Sequence, residues 1–238
     1  MTASRRPISP EAAREAIAAE MGRLEMPPVP DPVLDQLAAH LSLLYRWNSR
    51  INLTAIRDPR EGIRRHLLES LEALPAVDAC LRERGAGESP LLADLGSGNG
   101  YPALPILFAR PDLRGELWER TARKTDFLAA VLRRTGSAAR IRIREASFAG
   151  TFPEPPAIVT LRAFPDPLGT IRALASPAPT SEKASARRPA ILAWLADDDA
   201  AALAGALAGT PDLRVTVIPL RTRPRGALLA VRPRPPAA

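Results

Sequence analysis

The segment DLGSGNGYPALP, residues 94–105, holds three glycines within five positions and is the part of the chain best suited to binding a ligand. Gly96, Gly98 and Gly100 let the backbone turn sharply and approach a ligand closely. A helix that begins just after them would offer free N–H groups to an anionic part of that ligand. Pro102 and Pro105 are compatible with a first helical turn, in which those N–H groups have no intrahelical partner.

Two common nucleotide motifs fit this segment poorly. The dinucleotide fingerprint needs a third glycine where Tyr101 stands, and no Gly-Lys-Ser/Thr follows that would make a Walker loop. Asp94 precedes the glycines, and Glu119 ends the next apolar run, at the distance where a carboxylate can bind both hydroxyls of a ribose. The residues therefore indicate a ribose-containing ligand, with candidate contacts at Asp94, Gly96, Ser97, Gly98, Gly100 and Glu119.

The formal charge of +7 over 238 residues is typical of a chain with a polyanionic partner. However, all but two of the 33 basic residues are arginine, and 26 residues are proline, a composition that a GC-rich genome imposes on any protein. Position is more informative than total charge. Arginines at 57, 60, 64 and 65 share one short helical region, where they fit either a solvated face or RNA-phosphate contacts, and we favour the latter.

Composition also excludes several classes of protein. No run approaches the roughly 18 apolar residues of a membrane span, and the first residues lack the apolar core of a secretory signal, so we expect a cytoplasmic protein without a membrane partner. Cys80 is the single cysteine, which excludes an internal disulfide and a thiolate zinc cluster. We therefore expect a buried thiol, no metal, and a monomer.

The pattern of apolar residues divides the chain into two parts. Residues 10 to about 88 carry a helical pattern, with apolar positions three and four apart at Leu34, Leu37, Leu41, Leu44 and Trp47. Asp58 and Pro59 suit the start of a further helix and Pro75 its end, and residues 82–90 suit a linker. We expect Trp47 and Trp118 in the core and a structural role for His40, whereas His66 fits a satisfied helix position and a functional one equally.

From residue 91, short apolar runs alternate with helix-length segments, which predicts βαβ units and a parallel sheet. The last two runs, DLRVTVIPL and GALLAVRP, are close enough to form an antiparallel edge pair. We predict an α/β fold in two domains, a helical N-terminal cap at 1–88 and a ligand-binding domain at 89–238. Residues 176–190 suit a loop and residues 232–238 a disordered tail.

The sequence resembles a known family. DLGSGNGYPALP, RPDL and LWERTARKTDFL are similar to the cofactor-binding part of class I S-adenosylmethionine (SAM) dependent methyltransferases. More narrowly, YRWNSRINLTAIRDPREGIRRHLLES, then GSGNGYPALPILFARPDL and LRAF, resemble the bacterial small-subunit (16S) ribosomal-RNA guanine-N7 methyltransferases, the family of glucose-inhibited division protein B. The resemblance runs collinearly from about residue 34 to 170. It implies a Rossmann-like sheet, SAM as cofactor, and N7 of a guanine in small-subunit ribosomal RNA as acceptor.

The resemblance also implies roles for particular residues. Gly96 and Tyr101 match cofactor contacts, Glu119 matches the ribose-binding acid, and Arg162 of LRAF matches an arginine near the cofactor and the target base. The implied cofactor-binding set is Asp94, Gly96, Ser97, Gly98, Gly100, Tyr101, Glu119, Ser147, Phe148 and Arg162. The implied RNA-binding set is Arg64, Arg65, His66, Arg123 and Lys124. No general base is assigned, because guanine N7 already carries a free lone pair.

Three positions depart from the family's common pattern. Ser147-Phe148 replaces a small residue followed by Glu beside the adenine, Ala157 replaces an Asp, and Trp194-Leu195-Ala196 replaces an LKG turn whose lysine would lie near the substrate. These departures leave two alternatives open. One is methyl transfer to a different RNA or to a small molecule, and the other is a non-catalytic protein that binds RNA or the ribosome.

Overall fold

Seven strands form one mixed sheet in the computed structural model, which describes residues 8–84, 89–175 and 188–234. The strands are β1 (Leu91–Leu95), β2 (Arg114–Trp118), β3 (Ile141–Arg144), β4 (Ile158–Arg162), β5 (Ala190–Ala196), β6 (Leu213–Pro219) and β7 (Gly226–Pro233). Their order is β3-β2-β1-β4-β5-β7-β6. The first five pair in parallel, and β7 pairs antiparallel with both β5 and β6. The α/β fold, the Rossmann-like parallel sheet and the antiparallel edge pair are confirmed.

Helices cover both faces of the sheet. They are α1 (Pro10–Arg23), α2 (Asp31–Trp47), α3 (Pro59–Gly62), a π-helix (Ile63–Leu68), α4 (Glu69–Leu71), α5 (Leu74–Arg84), α6 (Ala103–Ala109), α7 (Ala122–Thr135), α8 (Pro167–Ala175) and α9 (Asp197–Leu207). The apolar face predicted for α2 is confirmed, since Leu34, Leu37, Leu41 and Leu44 are all buried. None of the helices in the described part of the chain has the length and apolar character needed to cross a bilayer.

The structure corrects the predicted helix boundaries. Asp58 caps α3 as predicted, because its Oδ1 accepts the amide hydrogen of Arg60 at 3.0 Å. The helical stretch ends at Leu71, however, and Pro75 lies in the first turn of α5, which extends into the predicted linker. Sequence reasoning missed α9 altogether. Within the predicted loop and tail, residues 176–187 and 235–238 lie outside the described part of the chain.

Two apolar clusters lie on either side of the sheet. One combines residues of the N-terminal helices, α6 and α7 with one sheet face, and the other combines the opposite face with α8 and α9. Trp118 belongs to the second cluster, and Cys80 is buried in the first, as predicted. Trp47 is half-buried, with its ring 5.8 Å from that of Phe127. The division into domains at 88/89 stays a prediction.

An aromatic stack joins the N-terminal helices to the glycine-rich loop. The Tyr101 ring lies between His40 and His66, with ring centroids 4.3 Å and 5.1 Å apart and nearly parallel planes. His40 Nε2 lies 2.8 Å from the carbonyl oxygen of Asn99, so Nε2 carries the hydrogen and donates it. Asn99 in turn donates from its side-chain amide to Leu53 O at 3.1 Å. The loop is therefore held from the helical side by both stacking and hydrogen bonds.

Because His40 is fully buried, its neutral form is favoured. Burial lowers the pKa of His40 from 6.5 to about 4, although the hydrogen bond to Asn99 works in the opposite direction. The folded state then binds fewer protons than the unfolded state between these two values. His40 therefore contributes stability that is present above about pH 6.5 and is lost as the pH falls toward 4.

We predict that His40→Gln makes the unfolding free energy less dependent on pH. Glutamine can still donate to Asn99 O but does not titrate, so the slope between pH 6.5 and 4 should decrease by up to about 1.4 kcal/mol per pH unit, about 3 kcal/mol over the interval. Urea unfolding at a series of pH values measures this slope. Because the lost stacking on Tyr101 should lower stability at every pH, the two proteins are compared by the slope of the unfolding free energy against pH. Equal slopes in the wild-type protein and the variant would contradict the prediction.

Candidate active site

The glycine-rich loop leaves the carboxyl end of β1, beside the point where the sheet order reverses between β1 and β4. Ligands of open parallel sheets bind at such a switch point. Gly96, Gly98 and Gly100 have φ of +74°, +51° and +84°, a left-handed conformation that is inexpensive only for glycine. The amides of Gly96 and Ser97 both donate to the carbonyl oxygen of Trp118 at 2.9 Å. The loop therefore folds back over the end of β2.

The three glycines have different surroundings. A Cβ at Gly100 would lie 2.5 Å from Leu104 Cδ1 and 3.2 Å from His40 Cε1, so this glycine allows close packing against the core. A Cβ at Gly98 would have no atom nearer than the Gly96 carbonyl oxygen, at 3.7 Å. At Gly96 the nearest atom would be in the Phe164 ring, at 3.5 Å. A Cβ at Gly96 or Gly98 would thus meet only ordinary van der Waals contacts, without overlap.

The Glu119 carboxylate holds the loop against the end of β2. Its Oε2 accepts the Gly98 amide hydrogen at 2.9 Å, and its Oε1 accepts that of Thr121 at 2.8 Å. The residue is buried, with 5% of its surface exposed. A carboxylate can accept about four hydrogen bonds, so Glu119 has capacity left for hydroxyl donors.

Asp94 lies deeper, on β1. Its Oδ1 accepts the hydroxyl hydrogen of Thr160, on the neighbouring strand β4, at 2.6 Å, and its Oδ2 has no hydrogen-bond partner among the described residues. Burial raises the pKa of Asp94 to about 6, opposed by hydrogen bonds from Thr160 and Ser97. The Ser97 hydroxyl also donates to Asp94 O at 3.1 Å. Asp94 and Ser97 therefore brace the start of the loop.

Three rings form a second aromatic group near the carboxyl ends of β2 and β3. The Phe148 and Phe152 rings lie 4.5 Å apart, and Trp118 meets Phe148 edge to face at 5.6 Å. Phe148 is half-buried, whereas Ser147 is exposed. Tyr101, by contrast, is buried within its histidine stack, and its hydroxyl has no partner among the described residues.

Arg162 ends β4 and bonds to the π-helix. Its Nη2 donates to Arg65 O at 2.6 Å and lies 3.6 Å from Glu69 Oε1. Glu69 is completely buried and also lies 3.6 Å from Arg223 Nη1. Sequence reasoning missed both Glu69 and Arg223. The only sequence signal was their charge, since Glu69 follows the RH pair in an apparently amphipathic helix and Arg223 lies in a basic turn.

The predicted RNA-binding residues occupy different environments. Arg64 is exposed and pairs with Glu20, and Arg65 pairs with Glu61 at 3.2 Å. His66 is buried, with Nε2 2.8 Å from the Thr54 hydroxyl oxygen. Burial lowers the pKa of His66 to about 3, and Arg162 adds to this effect. The basic pair at 123 and 124 lies in the first turn of α7, with Arg123 exposed and Lys124 half-buried.

The described residues contain no group of three His, Cys, Asp or Glu side chains that could hold a metal ion. What the site does bring together is open glycine backbone, two buried carboxylates and the Arg162 guanidinium, all at the carboxyl ends of β1, β2 and β4. These groups can bind hydroxyls, a cationic group and an oxygen acceptor side by side.

Comparison with known proteins identifies relatives that match part of the chain. Ribosomal RNA small subunit methyltransferase G of Xanthomonas euvesicatoria is 43% identical over 97 residues, 41% of each chain. The same-named protein of Leptothrix cholodnii is 37% identical over 143 residues, 58% of this chain and 61% of that one. The chain thus matches about two fifths of the length of the Xanthomonas protein.

Solved structures share the fold at low sequence identity. A putative O-methyltransferase from Klebsiella pneumoniae has a TM-score of 0.58 and 14% identity, covering 93% of this chain and 97% of that one. A methyltransferase from Podospora anserina, bound to S-adenosylhomocysteine (SAH), has a TM-score of 0.57 and 13% identity, covering 98% of this chain and 99% of that one. At such identities the likeness concerns the fold alone.

A family model covers the loop, both carboxylates and Arg162 together. The model described as rRNA small subunit methyltransferase G matches residues 33–177, from α2 through α8, which is more than half of the chain. The chain therefore belongs to the rRNA small subunit methyltransferase G family.

Proposed function

We propose that this protein transfers the methyl group of SAM to N7 of a guanine in small-subunit ribosomal RNA. The observation that carries the proposal is the glycine-rich loop, whose Gly98 amide is bonded to the Glu119 carboxylate within the segment that the family model matches. The proposed enzyme is a cytoplasmic monomer that acts on the free RNA or on the small subunit. It requires no metal ion and no membrane partner.

The residues of the loop fit SAM as the methyl donor. Glu119 has free acceptor capacity for the ribose hydroxyls, and the open backbone at Gly96, Ser97 and Gly98 suits the methionine end. The unpartnered Oδ2 of Asp94 can accept from a cationic or hydroxyl group nearby. Phe148, beside Ser147, offers a ring face to the adenine. Gly100 and Tyr101 would act by shaping the loop. The Podospora methyltransferase was solved with SAH, which is what remains of SAM after the methyl group has been transferred.

The chain's own residues then have to align and shield the reactants. SAM supplies an electrophilic methyl group on a sulfonium. Guanine N7 is already nucleophilic, so the site needs no base to remove a proton, and the acceleration comes from holding nucleophile and donor in line. The Arg162 guanidinium is assigned to orientation, through the cofactor, a phosphate or guanine O6, and not to acid catalysis.

RNA binding is assigned to basic residues at the two sides of the site. Arg64, Arg65, Arg123 and Lys124 would contact phosphates, with His66 supporting the π-helix from inside. The ion pair of Arg65 with Glu61 is exposed on both sides and weak in water, so exchanging it for phosphate costs little. Arg64 pairs with the buried Glu20, which keeps Arg23 as a second partner when Arg64 turns to a phosphate. Affinity for RNA should therefore fall steeply as the salt concentration rises.

The primary test is methyl transfer with the purified protein. We expect SAH binding in calorimetry, and one N7-methylguanine in small-subunit RNA that is absent from a strain lacking the protein. Free RNA and assembled subunits are compared as substrates. SAH binding with an unchanged methylation pattern would favour another methyl acceptor. No binding at millimolar SAH would favour a non-catalytic RNA-binding protein and overturn the proposal.

A matched pair of glycine variants tests the assignment of the loop. Gly98→Ala adds a methyl group that would meet only ordinary van der Waals contacts, so it should cost only about 1–2 kcal/mol of stability from its left-handed φ. The same methyl should weaken SAH binding at least about tenfold, or about 1.4 kcal/mol, by occupying the space of the ligand. Calorimetry and thermal unfolding measure the two effects.

Gly100→Ala is the control for the loop. Its methyl group would overlap Leu104 and His40, so it should lower stability by about 1–3 kcal/mol through overpacking in addition to the backbone strain. We expect Gly100→Ala to be the less stable variant and Gly98→Ala to lose more SAH affinity per unit of lost stability. Wild-type SAH affinity in folded Gly98→Ala would refute this assignment.

A further inference from the structure

Glu69 is a buried carboxylate that the proposed chemistry has not used. Its side chain is 0% exposed, and neither oxygen has a hydrogen-bond partner among the described residues. Its Oε1 lies 3.6 Å from one η nitrogen of Arg162 and 3.6 Å from one of Arg223. A buried carboxylate is costly unless cations compensate it, so the position of Glu69 depends on these two guanidiniums.

The π-helix leaves a backbone carbonyl free beside the contact between Arg162 and Glu69. The amide of Glu69 donates to Arg64 O, five residues earlier, whereas in an α-helix it would donate to Arg65 O. Arg65 O instead accepts a hydrogen bond from Arg162 Nη2 at 2.6 Å. One nitrogen of Arg162 thus contacts both a backbone oxygen and the carboxylate of the same helical segment. The other, Nη1, is buried without a partner among the described residues.

Arg223 reaches Glu69 from the turn between β6 and β7. Its aliphatic stem crosses Gly226, where a Cβ would lie 2.5 Å from Arg223 Cδ. Gly226 pairs with Ala196 at the end of β5, and Trp194, on the same strand, donates from Nε1 to Glu69 O at 3.1 Å. Elements from both ends of the chain therefore meet at this carboxylate.

Charges of both signs surround Glu69. Its carboxylate faces the guanidiniums of Arg162 and Arg223. Arg65 and the carboxylate of Glu72 also lie close enough to act on it, although Arg65 is paired with Glu61 at 3.2 Å. Burial raises the pKa of Glu69, while Arg162 and then Arg223 oppose that rise. A cluster kept only for stability could be replaced by apolar side chains at no loss. The unpartnered guanidinium N–H of Arg162 instead suits an anionic or carbonyl oxygen of a ligand.

We propose that Glu69 is a positioning residue for methyl transfer, which holds the Arg162 guanidinium in one orientation at the carboxyl end of β4, where the methyl donor and its acceptor meet. This inference rests on the proposed function. Glu69 and Arg65 O together occupy Nη2, and the pairing of Glu69 with Arg223 ties their common position to the C-terminal strand pair. Without the carboxylate, Arg162 keeps one backbone contact and loses its defined orientation.

A double-mutant cycle tests the proposal. Glu69→Gln and Arg162→Met, singly and together, are compared in kcat and KM for methyl transfer to small-subunit RNA. If Glu69 acts through Arg162, each single variant should lower kcat/KM at least about tenfold, and the double variant should be no worse than Arg162→Met. Glu69→Asp, which keeps the charge one methylene shorter, should recover part of the activity. Additive losses would indicate a structural role and overturn the proposal.

Glu116→Gln is the matched control. Glu116 is also buried and pairs with an arginine, Arg144, at 2.7 Å, but within β2 and away from Arg162. It should leave kcat/KM within about threefold, whereas an equal loss in both variants would overturn the proposal. If Glu69→Gln fails to fold in thermal unfolding, the same cycle is run with Glu69→Asp, for which the expected loss is smaller but again not additive with that of Arg162→Met.

A second readout separates this inference from the proposed function. The side-chain NMR signals of Arg162, assigned from the Arg162→Met variant, should be sharp in the wild-type protein and broadened in Glu69→Gln. Unchanged signals together with wild-type kcat/KM would overturn the role of Glu69 and leave the methyltransferase proposal intact. A wild-type protein without methyl transfer would overturn both, even where the signals broaden.

Discussion

The site depends on a short run of left-handed backbone at the end of β1. This conformation is inexpensive for glycine alone, and its amide hydrogens point away from any regular ladder, so they need acceptors supplied by the next strand. Trp118 O and the Glu119 carboxylate provide them. The sheet order matters for the same reason, because it places the end of β2 beside the end of β1 and opens the switch point toward β4.

The N-terminal helices support this loop directly. His40 bonds to Asn99 O, Asn99 bonds to Leu53 O, and the Tyr101 ring fills the space between two histidines. Residues 1–88, predicted as a helical cap, thus also help to fix the position of the glycine-rich loop. By packing against the loop and bonding to it, these helices limit how far the loop can move when a ligand binds.

Much of the architecture could be predicted from the sequence because it depends on local patterns. Alternating apolar runs indicated all seven strands, and the glycines followed by Glu119 indicated the loop and its carboxylate. The Ala-rich helix α9 was missed, because a run of Asp and Ala gives little amphipathic contrast. The π-helix was also missed, since its wider turn depends on tertiary packing. The burial of Glu69 was missed with it, because nothing in HLLES marks a carboxylate whose neighbours on both sides are all buried.

Two of the three departures from the family pattern lie near the ends of β3 and β5. Phe148, in place of a carboxylate, packs with Phe152 and Trp118, so this edge offers aromatic surface and not a hydrogen-bond acceptor. At β5 the resemblance would place a lysine where Leu195 stands, and the turn expected there is wrong, because Leu195 lies within the strand and pairs with Ala227. Arg223 brings a guanidinium to the same strand end, because its stem crosses Gly226, which pairs with Ala196. The antiparallel ladder brings the backbones of β5 and β7 together here, and the charge of Arg223 is anchored on Glu69. This strand end therefore carries a cation that comes from the turn between β6 and β7 and not from β5 itself.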